Sequence, residues 1–246
     1  MINSQSILIL GCGSDIAKSV ARKFAKHNFS IQLAGRNIHQ MERLQQDLIC
    51  RYGIKVTIHL FDAEQFQTHA GFVRALLEHP DVIIYSAGHM AEQTEAFENW
   101  ETTEKIISVN YIGAISILNQ FVKIFRERHS GCIIGLSSVA GDRGRQANYI
   151  YGSAKAAFST YLSGLRNEMF AYRVRVITVK PGFVYTKMTQ HLKLPPGLTA
   201  TPEMVADRIF SALEKKKNIV YIKPIWRWIM GLIRIIPEGI FKRLKI

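Results

Sequence analysis

Short apolar runs and stretches of helical periodicity alternate along most of this chain, and that alternation restricts the fold more than any other feature. The apolar runs fall at 6–10, 30–33, 55–61, 82–86, 132–137 and 173–179, and helical patterns lie near 16–27, 38–52, 68–77, 102–128 and 154–170. Several runs lack the polar alternation of a half-exposed strand, which is the pattern of a parallel sheet covered by helices on both faces. Strand–helix alternation of this kind builds right-handed βαβ units. A later helix over 202–217 leads to a seventh strand at 218–222. The pattern therefore predicts an α/β fold: one doubly wound domain over 1–222, with a seven-stranded parallel sheet and helices on both faces. A short amphipathic helical tail follows over 223–246. With 48% apolar residues among 246, the chain can fill one large core.

The three cysteines, Cys12, Cys50 and Cys132, are odd in number and scattered, which reads as buried, reduced thiols in a cytoplasmic protein. The eight histidines show no metal-ligand spacing, and no metal is expected. There is no signal-peptide pattern and no run of 18 apolar residues. The net charge of +13 is uneven: from residue 215 onward nine Lys/Arg face one acid, Glu238. Such asymmetry points to an acidic partner surface, lipid or nucleic acid.

The first predicted strand runs into Gly11-Cys-Gly13-Ser14-Asp15-Ile16-Ala17 and then a helix. Gly11 permits the tight turn, and the first-turn N–H groups, from Gly13 through Ser14, Asp15 and Ile16, can face a pyrophosphate. After the second strand comes Gly35-Arg36-Asn37. An enzyme that binds NAD places an acid here for the ribose 2′-OH, whereas a guanidinium suits a 2′-phosphate. Arg36 and its neighbour Asn37 therefore favour NADP(H) over NAD(H), which the site still admits. The alternative for Arg36 is a solvated surface residue.

The most specific motif is Tyr151-Gly-Ser-Ala-Lys155, with Ser138 thirteen residues before Tyr151. At i and i+4 of a helix start, Tyr151 and Lys155 share a face, and a serine at a strand end can reach the same point. Carbonyl reduction needs a proton donor as hydride arrives. A nearby Lys155 ammonium is expected to lower the phenol's pKa, and Ser138 to hydrogen-bond the substrate oxygen as it gains charge.

In order and spacing these motifs resemble the short-chain dehydrogenase/reductase family over roughly residues 6–190, with a Rossmann-type fold implied. Against the family's TGxxxGxG turn, Leu10 stands for the Thr, Asp15 for the second Gly and Ala17 for the third. Asp15 reads as a helix cap with its carboxylate turned from the ligand. The resemblance implies further roles. Asp62 would contact the adenine, and Ser86-Ala87-Gly88 would form the family's NNAG turn with Ser86 for the central Asn. Asn110 would hold a water in a proton relay to Lys155. Pro181 and Gly182 would form the turn after the sixth strand, with Val184 and Thr186 approaching the nicotinamide amide. Tyr151 and Lys155 would also touch the cofactor. Residues 189–200 would form a lid over the substrate, and the long helices would pair in a homodimer or homotetramer.

In the tail, Arg227, Gly231, Arg234 and Glu238 line one narrow helical face, and Trp226, Trp228 and six Ile, Leu or Met residues fill the rest. Broad apolar faces with basic flanks mark an interfacial segment docked on an anionic membrane. The alternative is a contact with a neighbouring subunit. Nucleic acid is not expected, because the tail is too apolar for a solvated basic arm. The tail and the G-x-x-S-D-I-A turn resemble a bacterial subset of the family typified by the reductase of decaprenylphosphoryl-2-keto-pentose. That narrower resemblance implies a lipid-linked keto sugar, reduced by an enzyme peripheral on the membrane. Two rivals are a soluble 3-oxoacyl-carrier-protein reductase and a non-catalytic NADP-binding sensor or scaffold. A sensor commonly loses the Tyr or the Lys that this chain keeps.

Overall fold

The computed structural model describes residues 5–190 and 192–244. Residues 1–4 of the expected domain, His191 of the expected lid, and Lys245 and Ile246 of the tail lie outside the described residues.

The main sheet has seven parallel strands. They are β1 (Ser6–Leu10), β2 (Ser30–Gly35), β3 (Val56–Leu60), β4 (Val82–Tyr85), β5 (Cys132–Leu136), β6 (Arg175–Lys180) and β9 (Ile219–Tyr221), in the order β3-β2-β1-β4-β5-β6-β9. A two-residue pairing, β7 (Phe183–Val184) with β8 (Thr199–Ala200), is the second, minor sheet. The strand order reverses between β1 and β4, which opens a crevice at the strands' carboxyl ends.

The apolar runs lack alternation because both faces are covered. On β1, Ile7 and Ile9 pack with α1 (Asp15–Lys26), α2 (Ile38–Tyr52) and α8 (Pro202–Glu214), while Leu8 and Leu10 face the other layer. That second layer holds α3 (His69–Arg74), α6 (Gly113–Arg128) and α7 (Tyr149–Phe170). The first layer is sealed by Phe24 against Phe29 and Phe210, with ring centroids 5.0 and 5.2 Å apart. Fully buried residues of this size each contribute roughly 1.5–3 kcal/mol.

The segment Trp100–Arg128 is apolar enough on average to resemble a membrane helix. Its apolar side instead meets the sheet, through Ile117, Leu118, Phe121 and Phe125. It comprises α5 (Trp100–Ile107) and α6 joined by a π turn over Ser108–Ile112. A short helix, α4 (Gln93–Glu98), precedes it.

Three expectations change. Helix α7 starts at Tyr149 rather than near residue 154, so Tyr151 already lies in its first turn. Cys50 is exposed, whereas Cys12 and Cys132 are buried and burial pushes both thiols up to about 12. The tail forms α9 (Ile225–Ile235) and α10 (Glu238–Phe241), so Glu238 starts a second helix and is not on α9.

Candidate active site

The crevice is a cleft of about 580 Å³ along the carboxyl ends of β1, β2, β3, β4, β5 and β6. Its lining brings together Gly11, Gly13, Ser14, Asp15, Ile16, Arg36, Asn37, Asp62, Ser86, Ala87, Gly88, Ser138, Tyr151, Lys155, Pro181, Gly182, Val184 and Thr186. Asn110 lies behind this wall and is fully buried.

Gly11 sits at φ +85°, and a Cβ there would stand 2.4 Å from the Ala87 nitrogen. The β1 turn therefore presses directly on the β4 turn, and only glycine fits. Ser86 fastens the same junction, its hydroxyl donating to Leu10 O at 3.0 Å and Gly11 O at 3.2 Å. The short side chain thus ties the two turns together. Ser14 caps α1, accepting from Ala17 N at 3.1 Å, which corrects the cap expected of Asp15. The Asp15 carboxylate instead accepts from Lys187 N at 2.9 Å and pairs with Lys18 at 3.6 Å. It ties the glycine-rich turn to the loop after β7.

At the far end of the cleft Asn37 caps α2, and Arg36 reaches into solvent and pairs with Glu64 at 3.7 Å. Asp62 closes a turn by accepting from Glu64 N.

Ser138 leaves the end of β5 and caps a 3₁₀ turn over Val139–Asp142. Two glycines bring this turn onto α7. A Cβ on Gly141 would stand 2.7 Å from Ala156 N, and one on Gly152 would stand 2.9 Å from Ala140 O. Ser137 adds bonds to Lys155 O and the Ser159 hydroxyl. The result sets Ser138 and Tyr151 together in the cleft wall, close enough for the Ser138 hydroxyl to act on the phenol.

Lys155 is buried, its amine donating to Leu136 O at 2.9 Å and lying 5.7 Å from the Tyr151 ring centre. Burial pushes the Tyr151 phenol up to about 12, against the opposing pull of the Ser138 hydroxyl, and pushes Lys155 down to about 7. This corrects the expected lowering of the phenol. Lys155 meets a neutral carbonyl rather than an acid, so desolvation weakens its own charge before it can act on the neighbour. At neutral pH Tyr151 is therefore a protonated phenol and can donate.

The π turn places Asn110 at this point. Its amide donates to His89 O and Ile106 O, and Tyr85 donates to the carbonyl of Val109 beside it. Asn110 Oδ1 has no partner among the described residues. A Cβ on Gly88 would stand 3.2 Å from that oxygen and 3.8 Å from Lys155 Nζ. Both groups therefore border one small space that a water can bridge. Bulged turns of this kind recur at functional sites.

The tail also builds this site. Trp226 is buried, donates from Nε1 to Leu198 O at 3.0 Å and meets the Phe183 ring edge-on at 5.3 Å. A Cβ on Gly182 would overlap its indole, 2.0 Å from Nε1. Met230 of α9 packs beside it against Val139, next to Ser138. Arg143 donates to the carbonyls of Ile233, Arg234 and Ile236 at the end of α9 and to Glu238. Beneath, the buried Asp142 binds Lys180 and Tyr221. Sequence reasoning missed Ser137, Arg143, Arg145, Asn148 and the inward role of Trp226. The arginines packed between Ser138 and Tyr151 were the available signal.

A family model described as short chain dehydrogenase matches residues 5–196. An uncharacterized oxidoreductase of Mycobacterium tuberculosis is 31% identical over 241 residues, 97% of this chain and 96% of that protein. The NADP-dependent 3-hydroxy acid dehydrogenase of Schizosaccharomyces pombe is 26% identical, covering 89% of this chain and 90% of that protein. Among solved structures, a short-chain dehydrogenase from Sphingobium yanoikuyae in complex with NADPH superposes with a TM-score of 0.81. It is 19% identical and covers 96% of this chain and 97% of that one.

Proposed function

The chain belongs to the short-chain dehydrogenase family of oxidoreductases, and we propose that it is an NADP(H)-dependent reductase of a ketone held at a membrane. The observation that carries the reaction class is the meeting of Ser138, Tyr151 and the buried Lys155 amine in one wall of the cleft, with Lys155 Nζ 5.7 Å from the Tyr151 ring centre.

The residues suit a dinucleotide: the cradle at Gly11 excludes a Cβ, and the α1 amino terminus opens on it. In this reading Gly13, Ser14, Asp15 and Ile16 hold the pyrophosphate through backbone N–H groups. Asp62 contacts the adenine, Ser86 to Gly88 form the turn that lies against the cofactor between the glycine-rich turn and Lys155, and Pro181, Gly182, Val184 and Thr186 hold the carboxamide end. A bound reduced nicotinamide supplies the hydride. Ser138 orients the ketone oxygen and Tyr151 donates a proton to it. Lys155 stabilises the phenolate left behind, and Asn110, through the small space beside Gly88, holds the water that reprotonates it. Asp15 and Ser86, the two departures that favoured a non-catalytic sensor, have structural work at this junction, which leaves the sensor reading without its support.

The cofactor preference is testable through Arg36. Replacing it with Ala should weaken NADPH binding at least about tenfold and leave NADH nearly unchanged, since charge-assisted contacts are worth roughly 1.5–3 kcal/mol. Equal losses for both nucleotides would make Arg36 a surface residue.

The membrane reading rests on the outer face of α9. Ile225, Trp228, Leu232 and Ile235 fall at helical spacing and stay exposed, Trp228 and Ile235 by 75% each. From residue 215 onward the sequence carries nine Lys/Arg against one acid. Trp226 faces inward, so the inserting set is not the tryptophan pair. The docked enzyme would lie on the cytoplasmic side and take a lipid-linked keto sugar or a similar substrate. Full-length protein should float with phosphatidylglycerol vesicles at low and high salt, because inserted apolar groups resist screening. Trp228→Ala/Leu232→Ala/Ile235→Ala should float only at low salt. A full-length protein that ignores vesicles, with a triple variant that loses an oligomer, would make this face a subunit contact. The α6–α7 groove around Tyr161 and Gly164 is the face we assign to a homodimer or homotetramer.

A further inference from the structure

Arg145 and Asn148 lie between the 3₁₀ turn that carries Ser138 and the helix that carries Tyr151, and both line the cleft that holds these two groups. Neither is accounted for by the chemistry above. The Arg145 Nε is buried and has no hydrogen-bond partner among the described residues, and neither has the buried Asn148 Oδ1. Asn148 precedes α7 yet makes no side-chain cap bond. Arg145 is only partly buried, but its Nε is shut away from solvent, and a buried donor without a partner is costly. The acid whose field reaches Arg145 is Asp142, but its two oxygens are taken by Lys180 and Tyr221. Burial lowers the Arg145 pKa from its ordinary value against the pull of Asp142, and the guanidinium stays charged. The acids lining the cleft, Asp15, Asp62 and Glu64, follow β1 and β3 and have other partners: Lys187 and Lys18 for Asp15, the Glu64 amide for Asp62, and Arg36 for Glu64.

We propose that Arg145 and Asn148 form the specificity subsite of this reductase, selecting ketones that carry an anionic group, carboxylate or phosphate, with a hydroxyl beside it. Arg145 pairs with the anion, and Asn148 Oδ1 accepts from the hydroxyl. The proposal rests on the reductase reading, since it places the anion next to the carbonyl that Ser138 and Tyr151 address. It narrows the substrate class: a neutral ketone leaves the guanidinium unpaired, and a site with an unpaired polar group rejects such a ligand strongly. A phosphodiester next to a keto sugar and the carboxylate of a keto acid share this chemistry.

The test is calorimetric titration of full-length protein saturated with NADP⁺, which cannot reduce a ketone. Binding is then read without turnover, independently of Tyr151, so a failure here and a failure of the catalytic reading are distinguishable. The probes are acetoacetate against methyl acetoacetate, and dihydroxyacetone phosphate against dihydroxyacetone. At least one anion should bind about tenfold or more tightly than its neutral partner, as a charge-assisted pair implies. Preference for the carboxylate or for the phosphate identifies which source the site serves. In Arg145→Gln the gap should shrink to within about threefold, and Arg145→Lys, which keeps the charge without the fork, should retain part of it. If Arg145→Gln no longer holds NADP⁺, the narrowing in Arg145→Lys decides. Anions that bind no better than their neutral partners, or not at all, overturn the proposal, as does a gap that survives in the variants.

Discussion

Tyr151→Phe is expected to cut ketone reduction by about 10²–10⁴-fold, the range that a positioned general acid contributes. The substitution removes only the phenol hydroxyl, so NADPH affinity should stay within a few-fold. Steady-state NADPH oxidation and a direct NADPH titration measure the two effects separately. A variant that turns over near the wild-type rate would remove Tyr151 from the chemistry. The pH profile gives a second check. Burial holds the phenol up near about 12, so it stays protonated through the neutral range. Lys155, pushed down to about 7, is the group that titrates there. Its charge is present below that value, where it can stabilise the phenolate, and is lost as pH rises through it. Reduction at saturating NADPH should therefore decline above about pH 7, approaching tenfold per unit. A flat profile between about pH 6 and 8 would exclude Lys155 titration from the rate.

Trp226→Ala should destabilise the protein by about 3–5 kcal/mol, the usual cost of emptying a buried Trp site. For a chain of this length that corresponds to a fall in Tm on the order of 10 °C. Trp226 fills the space over Gly182, bonds Leu198 O and packs with Met230 on Val139, so activity should fall with stability. Trp228→Ala, two residues on and exposed, should cost less than about 0.5 kcal/mol. Thermal and denaturant unfolding of the two variants measure the difference. Equal, small effects would mean that α9 is not part of the folded domain.

The parallel seven-stranded sheet and its covering helices were legible from short-range patterns, whereas the order of the strands was not. Ile7 to Leu10 lack polar alternation because both sheet faces are buried, and this pattern is local. Tyr151 and Lys155 are four residues apart on one helix, so their spacing alone places them together. Less was legible where a residue's environment comes from distant segments. Asp15 looked like a cap because it opens a helix, but Ser14 holds that position and Lys187 takes the carboxylate. The Tyr151 pKa was read from its charged neighbour, whereas the outcome depends on how much water the folded cleft excludes from both groups.

The tail draws the boundary most clearly. Its amino acids alone determined an amphipathic, basic helix, because periodicity and charge are properties of neighbours three and four apart. Which apolar face turns inward was decided by the tertiary structure. The space above Gly182 admits an indole at residue 226 and not at 228, and the end of α9 is held by Arg143 from a loop about ninety residues earlier. Close packing selects among faces that are equally apolar in sequence, and it does so through shapes that exist only once the sheet, the turn after β6 and the catalytic loop have come together.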